Sequence, residues 1–269
     1  KMPRLISFSG GRSSAMMLKI LLDNGLQPDD HILFANTGKE RPETLDFIHE
    51  CETRWDIPVV WIEATFRPYN LEIETMQSSV GFRVVNYETA ARKGEPYSAM
   101  NRWINCGHVP NRASPFCTKY LKTIPMALYM QSQGHEDYEE LWGIRYDEPD
   151  RWRRAKANGI LLPLVDMSVF EQDVFRFWSS QPFDLKLKTY EGNCDLCIKK
   201  SEKKLLTILA ENPGIEQWWE NEEKETASTF NMVPISSLVQ ASRKKFRRAI
   251  DARIQKEEDL FSASCFCGD

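Results

Sequence analysis

The stretch RLISFSGGRSSAMMLKILLD, Arg4 to Asp23, decides the fold. Arg4–Ser9 reads as a strand and Ser13 to Asp23 as a helix, with Gly10-Gly11 bending one into the other. A strand that ends in two glycines and opens a helix aims several backbone N–H groups at one point. The positive end of the helix dipole faces the same point, so the turn is a concavity for an anion. Ser7, Ser9, Ser13 and Ser14 add hydroxyl donors, and Arg12 adds a guanidinium fork suited to phosphate. The turn lacks the longer gap and Gly-Lys-Ser/Thr ending of a Walker A loop, and it is not G-x-G-x-x-G. A plain glycine turn before a helix is the simpler reading of the same residues.

Outward from this turn, strand and helix patterns alternate. His31–Asn36 (HILFAN) is a second strand. RPETLDFIHECETRW is a helix with Pro42 in its first turn, where the missing N–H costs nothing. Its apolar face is Leu45, Phe47, Ile48, Cys51 and Trp55. Pro58–Ala64 (PVVWIEA) is a third strand. The alternation predicts an α/β fold, a parallel sheet with helices on both faces. Thr65 to Pro115 is a polar, broken excursion, of the kind that carries function on such cores. TKYLKTIPMALYMQ returns as a helix, Tyr138–Ile144 is a fourth strand followed by the turn RYDEPDR, and Phe170–Trp178 is a short helix. A loop with NCDLC follows, and Lys199 to Lys256 reads as helical. With no repeat or low-complexity linker, the expected organisation is a nucleotide-binding domain over residues 1–198 and a helical extension over 199–269, packed on the same domain.

Bulk properties set limits. The chain has 269 residues, 42% hydrophobic, enough for a sizeable core. Its net charge of −4 excludes a wholly basic nucleic-acid coat. No apolar run approaches a membrane span, and the first residues lack the apolar core of a secretory signal; Lys1 implies a processed or trimmed start. Seven cysteines, an odd number, argue against a disulfide scaffold and for metal, redox or buried thiols. A cytoplasmic location is the expectation.

Cys194-x-x-Cys197 has metal-ligand spacing, suited to an iron–sulfur cluster or to zinc. Cys51 lies on an apolar helix face and reads as a buried structural thiol. Arg145, Asp147, Glu148 and Arg151 follow a strand end, which in a parallel sheet faces the ligand crevice. Arg145 and Arg151 suit phosphate or sulfate, and Asp147 or Glu148 suits magnesium, the alternative being a solvated turn. RKKFRR, Arg243–Arg248, places five cations in six residues, either a nucleic-acid backbone patch or a solvated helix face. His31, His49, His108 and His135 show no metal-ligand spacing.

Several segments, in order, resemble one superfamily. SGGRSS resembles the SGG-x-D-S loop of the PP-loop ATP pyrophosphatases, which cleave ATP between the α- and β-phosphates and adenylate a substrate oxygen. FANTGKERPETLDFIHE resembles the second strand and helix of the phosphoadenosine-phosphosulfate (PAPS) reductase branch, and FCTKYLKTIPM its Cys-Cys-x-x-x-K-x-x-P segment. WGIRYDEPDR resembles its Gly-x-Arg-x-(Asp/Glu)-x-Ser/Pro-x-Arg segment, PLVDMSVFEQDVFRFW the stretch that follows, and GNCDLC the Cys-x-x-Cys of the iron–sulfur members. The match spans roughly residues 4 to 200 and is similar to bacterial and phage PAPS-reductase-like proteins related to the DNA-phosphorothioation sulfurtransferase. Ser13 stands where many members have Asp, and Phe116-Cys117 replaces a Cys-Cys pair.

The resemblance implies a Rossmann-like fold of the adenine nucleotide alpha hydrolase kind and an enzyme of adenylation or sulfur transfer. It implies ATP or a PAPS-like nucleotide, with magnesium, held by Ser7, Ser9, Gly10, Gly11, Arg12, Ser13, Ser14, Asn36, Thr37, Gly38, Gly143, Arg145 and Arg151. Arg12, Arg145 and Asp147 are the implied catalytic groups. Cys117, Cys194 and Cys197 would hold a [4Fe-4S] cluster or zinc, with Cys267, Cys265 or Cys106 as a further ligand. Cys265 and Cys267 have a second reading, as nucleophiles on a tail. A sulfur-donor protein, a cysteine desulfurase or thioredoxin-like partner, is implied, nucleic acid is a further partner through Arg243–Arg248, and no membrane is. Two rivals remain: a true PAPS or adenylyl-sulfate reductase, and a nucleotide- or nucleic-acid-binding module without chemistry.

Overall fold

A computed structural model describes residues 2–70, 72, 74–104 and 107–264, with side chains of 250, 251 and 253–264 outside the description. The chain divides into two compact units, one made of Lys1–His108 with Pro115–Asp195 and the other of Val109–Ser114 with Leu196–Asp269.

The first unit is built on a five-stranded sheet. Its strands are β1 (Arg4–Ser7), β2 (Asp30–Asn36), β3 (Val59–Phe66), β4 (Val80–Val85) and β5 (Glu139–Trp142), in the order β4-β3-β2-β1-β5. β1 pairs parallel with both β2 and β5, and β2 with β3. β4 is the exception to the expected parallel sheet: it pairs antiparallel with β3. It comes from the polar excursion, where a short 3₁₀ turn (Met76–Ser79) leads directly into it.

Helices α1 (Arg12–Asp23), α2 (Pro42–Trp55), α3 (Glu95–Trp103), α4 (Ile124–Ser132), α5 (Pro149–Ala157), α6 (Pro163–Asp166) and α7 (Glu171–Ser179) surround the sheet. A π-helical turn, Lys119–Thr123, runs directly into α4. Strand side chains alternate between two cores, as period two requires. Ile6, Phe8, Ile32, Phe34 and Trp61 pack with Ala15, Met17 and Leu18 of α1 and with Leu45, Phe47, Ile48 and Cys51 of α2. Leu5, Leu33, Ala35 and Ile62 pack on the opposite face with Met126, Tyr129 and Met130 of α4. Cys51 is fully buried, as its helix face predicts, and burial pushes its thiol far up.

β1 is where the winding reverses: β2 lies on one side of it and β5 on the other. In sheets of this kind, ligands bind outside the carboxyl ends of the strands at that switch point.

The second unit is helical, with α8 (Glu202–Glu211), α9 (Gln217–Thr226) and α10 (Ile235–Ser264). Trp219 and Phe230 meet edge to face at 4.7 Å in its core, and Ser242 Oγ donates to the Leu206 carbonyl at 2.7 Å. The Glu223 carboxylate accepts from Phe230 N at 3.0 Å and Ile235 N at 2.8 Å, holding the entry to α10. Among the described residues no helix is long and apolar enough to cross a membrane.

Candidate functional site

Three strand ends carry most of the residues that the sequence singles out. After β1, the chain turns through Gly10, at φ +75°, into α1. A Cβ at Gly10 would stand 2.6 Å from Thr44 Cγ2 and 2.7 Å from Ile48 Cδ1, so the turn lies directly on α2. Gly11 is the N-cap of α1, and no side chain caps it. The first-turn N–H groups therefore open outward, which suits an anion. Ser14 folds back within the turn: its Oγ lies 2.9 Å from Ser9 Oγ, accepts from Ser9 N at 3.2 Å and donates to the Gly11 carbonyl at 2.9 Å.

After β5, Gly143 meets the same turn from the other side of the switch point. A Cβ there would stand 2.6 Å from Ser14 Cα and 2.9 Å from Ser14 N. Only a glycine lets the strand end approach the helix backbone this closely.

Arg12 points to a different part of the unit. Its Nε and Nη2 donate to Asp184 at 2.7 and 2.9 Å, its Nη1 to the Leu187 carbonyl at 3.1 Å, and its Nη2 also to the Leu185 carbonyl. Trp178 Nε1 donates to the Arg12 carbonyl at 3.0 Å. The guanidinium thus ties the first turn of α1 to the segment after α7.

After β2 comes the most interconnected turn. Asn36, Glu63 and Arg83 stand in one row across β2, β3 and β4. Glu63 is a carboxylate with no exposed surface. Its Oε1 accepts from Asn36 Nδ2 at 2.7 Å and Ala91 N at 2.6 Å, and its Oε2 from Arg83 Nε at 3.0 Å and Nη2 at 2.6 Å. Four donors and one positive charge offset the cost of burying it. Asn36 Oδ1 in turn accepts from Gly38 N at 3.0 Å, which shapes the Thr37–Glu40 turn.

In that turn Thr37 donates to Glu40 Oε2 twice, from N at 2.9 Å and from Oγ1 at 2.7 Å, and Lys122 reaches Glu40 Oε1 at 3.4 Å. Cys194 and Asp195 dock here. Glu40 and Cys194 form an antiparallel bridge, Asp195 N donates to the Lys39 carbonyl at 2.9 Å, and Lys39 Nζ pairs with Asp195 at 3.0 Å. Thr37 Oγ1 lies 3.4 Å from Cys194 Sγ. Two residues assigned to different tasks by sequence, Thr37 and Cys194, are neighbours.

Arg145 sits among carboxylates: Nε donates to Asp147 at 2.9 Å, and Glu148 and Glu171 lie at 4.0 and 3.8 Å. Asp147 Oδ2 accepts from Glu171 N at 3.2 Å, so both oxygens of the expected magnesium ligand are engaged. Arg151 pairs with Glu148 and is otherwise exposed.

Cys117 and Cys194 fall in the first unit and Cys197 in the second, none of them in a disulfide. Among the described residues no three His, Cys, Asp or Glu side chains gather as a metal site. Cys106, Cys265 and Cys267 lie outside the described residues. The patch Arg243–Arg248 is exposed along α10.

Sequence reasoning passed over Glu63, Arg83, Glu40, Lys122, Asp184 and Asp195. A signal existed for one of them: a glutamate inside the apolar strand PVVWIEA needs partners.

Residues 3–158 match the phosphoadenosine phosphosulfate reductase domain family. The chain is 31% identical over 219 residues to an uncharacterized nin region protein of Escherichia phage lambda, covering 80% of this chain and 72% of that protein. It is 22% identical over 246 residues to an uncharacterized protein of Methanocaldococcus jannaschii, covering 86% of this chain and 44% of that protein, so it spans less than half of that relative's length.

Proposed function

The chain belongs to the phosphoadenosine phosphosulfate reductase domain family, and from that premise we propose that it is an adenine-nucleotide-binding enzyme of the PP-loop kind that supports adenylation or sulfur transfer. The observation that carries the reading is the meeting of Gly143 with Ser14 at the switch point, beside an uncapped helix N-terminus.

The N–H groups of the α1 first turn, with Ser9 and Ser13, bind the phosphates, and Asn36, Thr37 and Gly38 bound the nucleoside side. Arg145 supplies the charge that stabilises the leaving phosphates or a sulfate, exchanging a carboxylate partner for the ligand. Arg151 assists it from the rim. Asp147 or Glu148 would hold magnesium, which would neutralise phosphate charge when bound. Arg12 acts from behind, fixing the first turn of α1 through Asp184. Cys117, Cys194, Cys197 and Cys267 would be the ligands of an iron–sulfur cluster or zinc. The basic segment of α10 is proposed as a second contact, for nucleic acid.

The testing experiment incubates the protein with ATP and magnesium and assays pyrophosphate, and in parallel with PAPS or adenylyl sulfate and a thiol and assays sulfite. Pyrophosphate supports the adenylating reading, sulfite moves the assignment to a reductase, and nucleotide binding with neither product leaves a binding module. Iron and labile sulfide after anaerobic purification, lost in Cys194→Ala, support the cluster; stoichiometric zinc with no iron replaces it.

A further inference from the structure

A threonine hydroxyl beside the glycine turn is buried without a partner. Thr44 lies in the first turn of α2 and is 3% exposed. Its backbone N donates to the Arg41 carbonyl at 2.9 Å, but its Oγ1 makes no hydrogen bond. A threonine inside a helix ordinarily satisfies its hydroxyl on a carbonyl one turn back. A buried hydroxyl left unpaired opposes folding, and such a group is rare in a native interior and calls for a reason.

The surroundings supply one. The Thr44 side chain packs on Gly10, since a Cβ at Gly10 would stand 2.6 Å from Thr44 Cγ2. The hydroxyl shares its carbon with that methyl, so it stands behind the turn, on the α2 side. Ser14 fixes the two ends of the turn: its Oγ accepts from Ser9 N at 3.2 Å and donates to the Gly11 carbonyl at 2.9 Å. Between these anchors lie the Ser9–Gly10 and Gly10–Gly11 peptides. Gly10, at φ +75°, gives both the freedom to rotate. The C=O and N–H of one trans peptide point in opposite directions. A donor behind the turn that holds a carbonyl inward therefore aims the N–H of the same peptide outward, toward an anion at the uncapped start of α1.

We propose that Thr44 is a positioning residue of the phosphate turn. In the free chain its hydroxyl is unpaired; when phosphates bind, it donates to a carbonyl of the Ser9–Gly11 turn and fixes a peptide N–H on the anion. The methyl is the packing surface and the hydroxyl is the orienting group. The hydroxyl thus lowers the stability of the free chain and strengthens binding, so the two properties oppose each other at this one atom. The role rests on the reading of this turn as the nucleotide site.

The test sets Thr44→Val, which keeps the shape and removes the hydroxyl, against Thr44→Ser, which keeps the hydroxyl and removes the methyl. Calorimetry of the full chain with ATP and with PAPS reads binding, and thermal unfolding without nucleotide reads stability. Thr44→Val is expected to melt about 2–4 °C above the wild type and to bind the nucleotide about tenfold more weakly. Thr44→Ser is expected to melt below the wild type and to keep its affinity. A role in packing alone predicts the reverse order of affinities, with valine harmless and serine damaging, and that order would overturn the proposal. A lower melting temperature in Thr44→Val would show the hydroxyl already paired in the free chain and overturns it as well. Wild-type protein that binds neither nucleotide removes the nucleotide-site reading and this role with it, whereas wild-type binding that Thr44→Val leaves unchanged removes this role alone.

Discussion

Gly143 and Ser14 stand so close that a single added carbon on Gly143 would lie 2.6 Å from the Ser14 Cα. The end of β5 and the start of α1 are therefore set by backbone contact, with no flexible side chain between them to yield. Gly143→Ala must push the phosphate turn outward. It is expected to cost about 1–3 kcal/mol of stability and to weaken ATP or sulfonucleotide binding at least tenfold. Gly192→Ala, where an added Cβ meets nothing within 4 Å, should change neither. Thermal unfolding and calorimetry of the pair check this; normal nucleotide affinity in Gly143→Ala would detach the contact from the site.

The Arg12–Asp184 pair is expected to behave as one structural unit. With side chains 16% and 43% exposed, it contributes about 1 kcal/mol at most after solvent screening. Arg12→Ala and Asp184→Ala should each lower stability by a similar small amount, the double variant by little more than either. Nucleotide affinity should fall equally in both single variants. A fall in Arg12→Ala alone would place the guanidinium on a phosphate instead.

Glu63 is expected to be intolerant of even an isosteric change. Glu63→Gln turns an amide NH₂ toward the Arg83 donors or toward Asn36 and Ala91, and it leaves the guanidinium without its counter-charge. Loss of about 3 kcal/mol follows, measured by denaturant unfolding. A loss under about 1 kcal/mol would show that water replaces the lost partners.

Glu140, on β5, gives a pH signature. Burial raises its carboxyl above the ordinary value of 4.5, and its Oε1 accepts from Trp142 Nε1 at 2.5 Å, a bond that opposes the rise. A raised carboxyl keeps its proton longer in the folded state than in the unfolded chain. Its favourable contribution is complete below pH 4.5 and is lost as pH rises through the folded value. Glu140→Gln should therefore raise the melting temperature at pH 7–8, the gain shrinking toward pH 4. A gain independent of pH would assign the effect to packing.

The parts of the fold governed by local pattern were legible in the sequence. The β1–Gly-Gly–α1 unit, the Pro42 helix start and the two-faced strands follow from periodicity and turn chemistry, because the same residues form the element and face the core. β4 was not legible. Its six residues, VGFRVV, are few, with a glycine and an arginine interrupting the apolar ones, and their pairing depends on the chain reversing after β3. The site divides along the same line. Gly10, Gly11, Ser14 and Gly143 stand out in the sequence because a glycine turn at a strand end is a local signal, and the structure brings them together. The row of Asn36, Glu63 and Arg83 comes from three separate strands and exists only through register. Arg12 illustrates the limit from the other side: its place beside the turn suggested phosphate, but Asp184, 172 residues away, takes its guanidinium.

The interleaving of the two units sets a schedule for the growing chain. Val109–Ser114 leaves the ribosome among residues of the first unit but belongs with Leu196–Asp269. Arg112 waits for the carbonyls of Ile198 and Lys200, 86 and 88 residues downstream, and Val109 N waits for Ser228, 119 residues downstream. At bacterial-like synthesis rates that wait is on the order of ten seconds. Throughout it, the first unit can close around its sheet while this short segment remains open to proteases and chaperones. A chain cut after Asp195 would never end the wait, so the first unit cannot be separated cleanly by truncation at its own last residue.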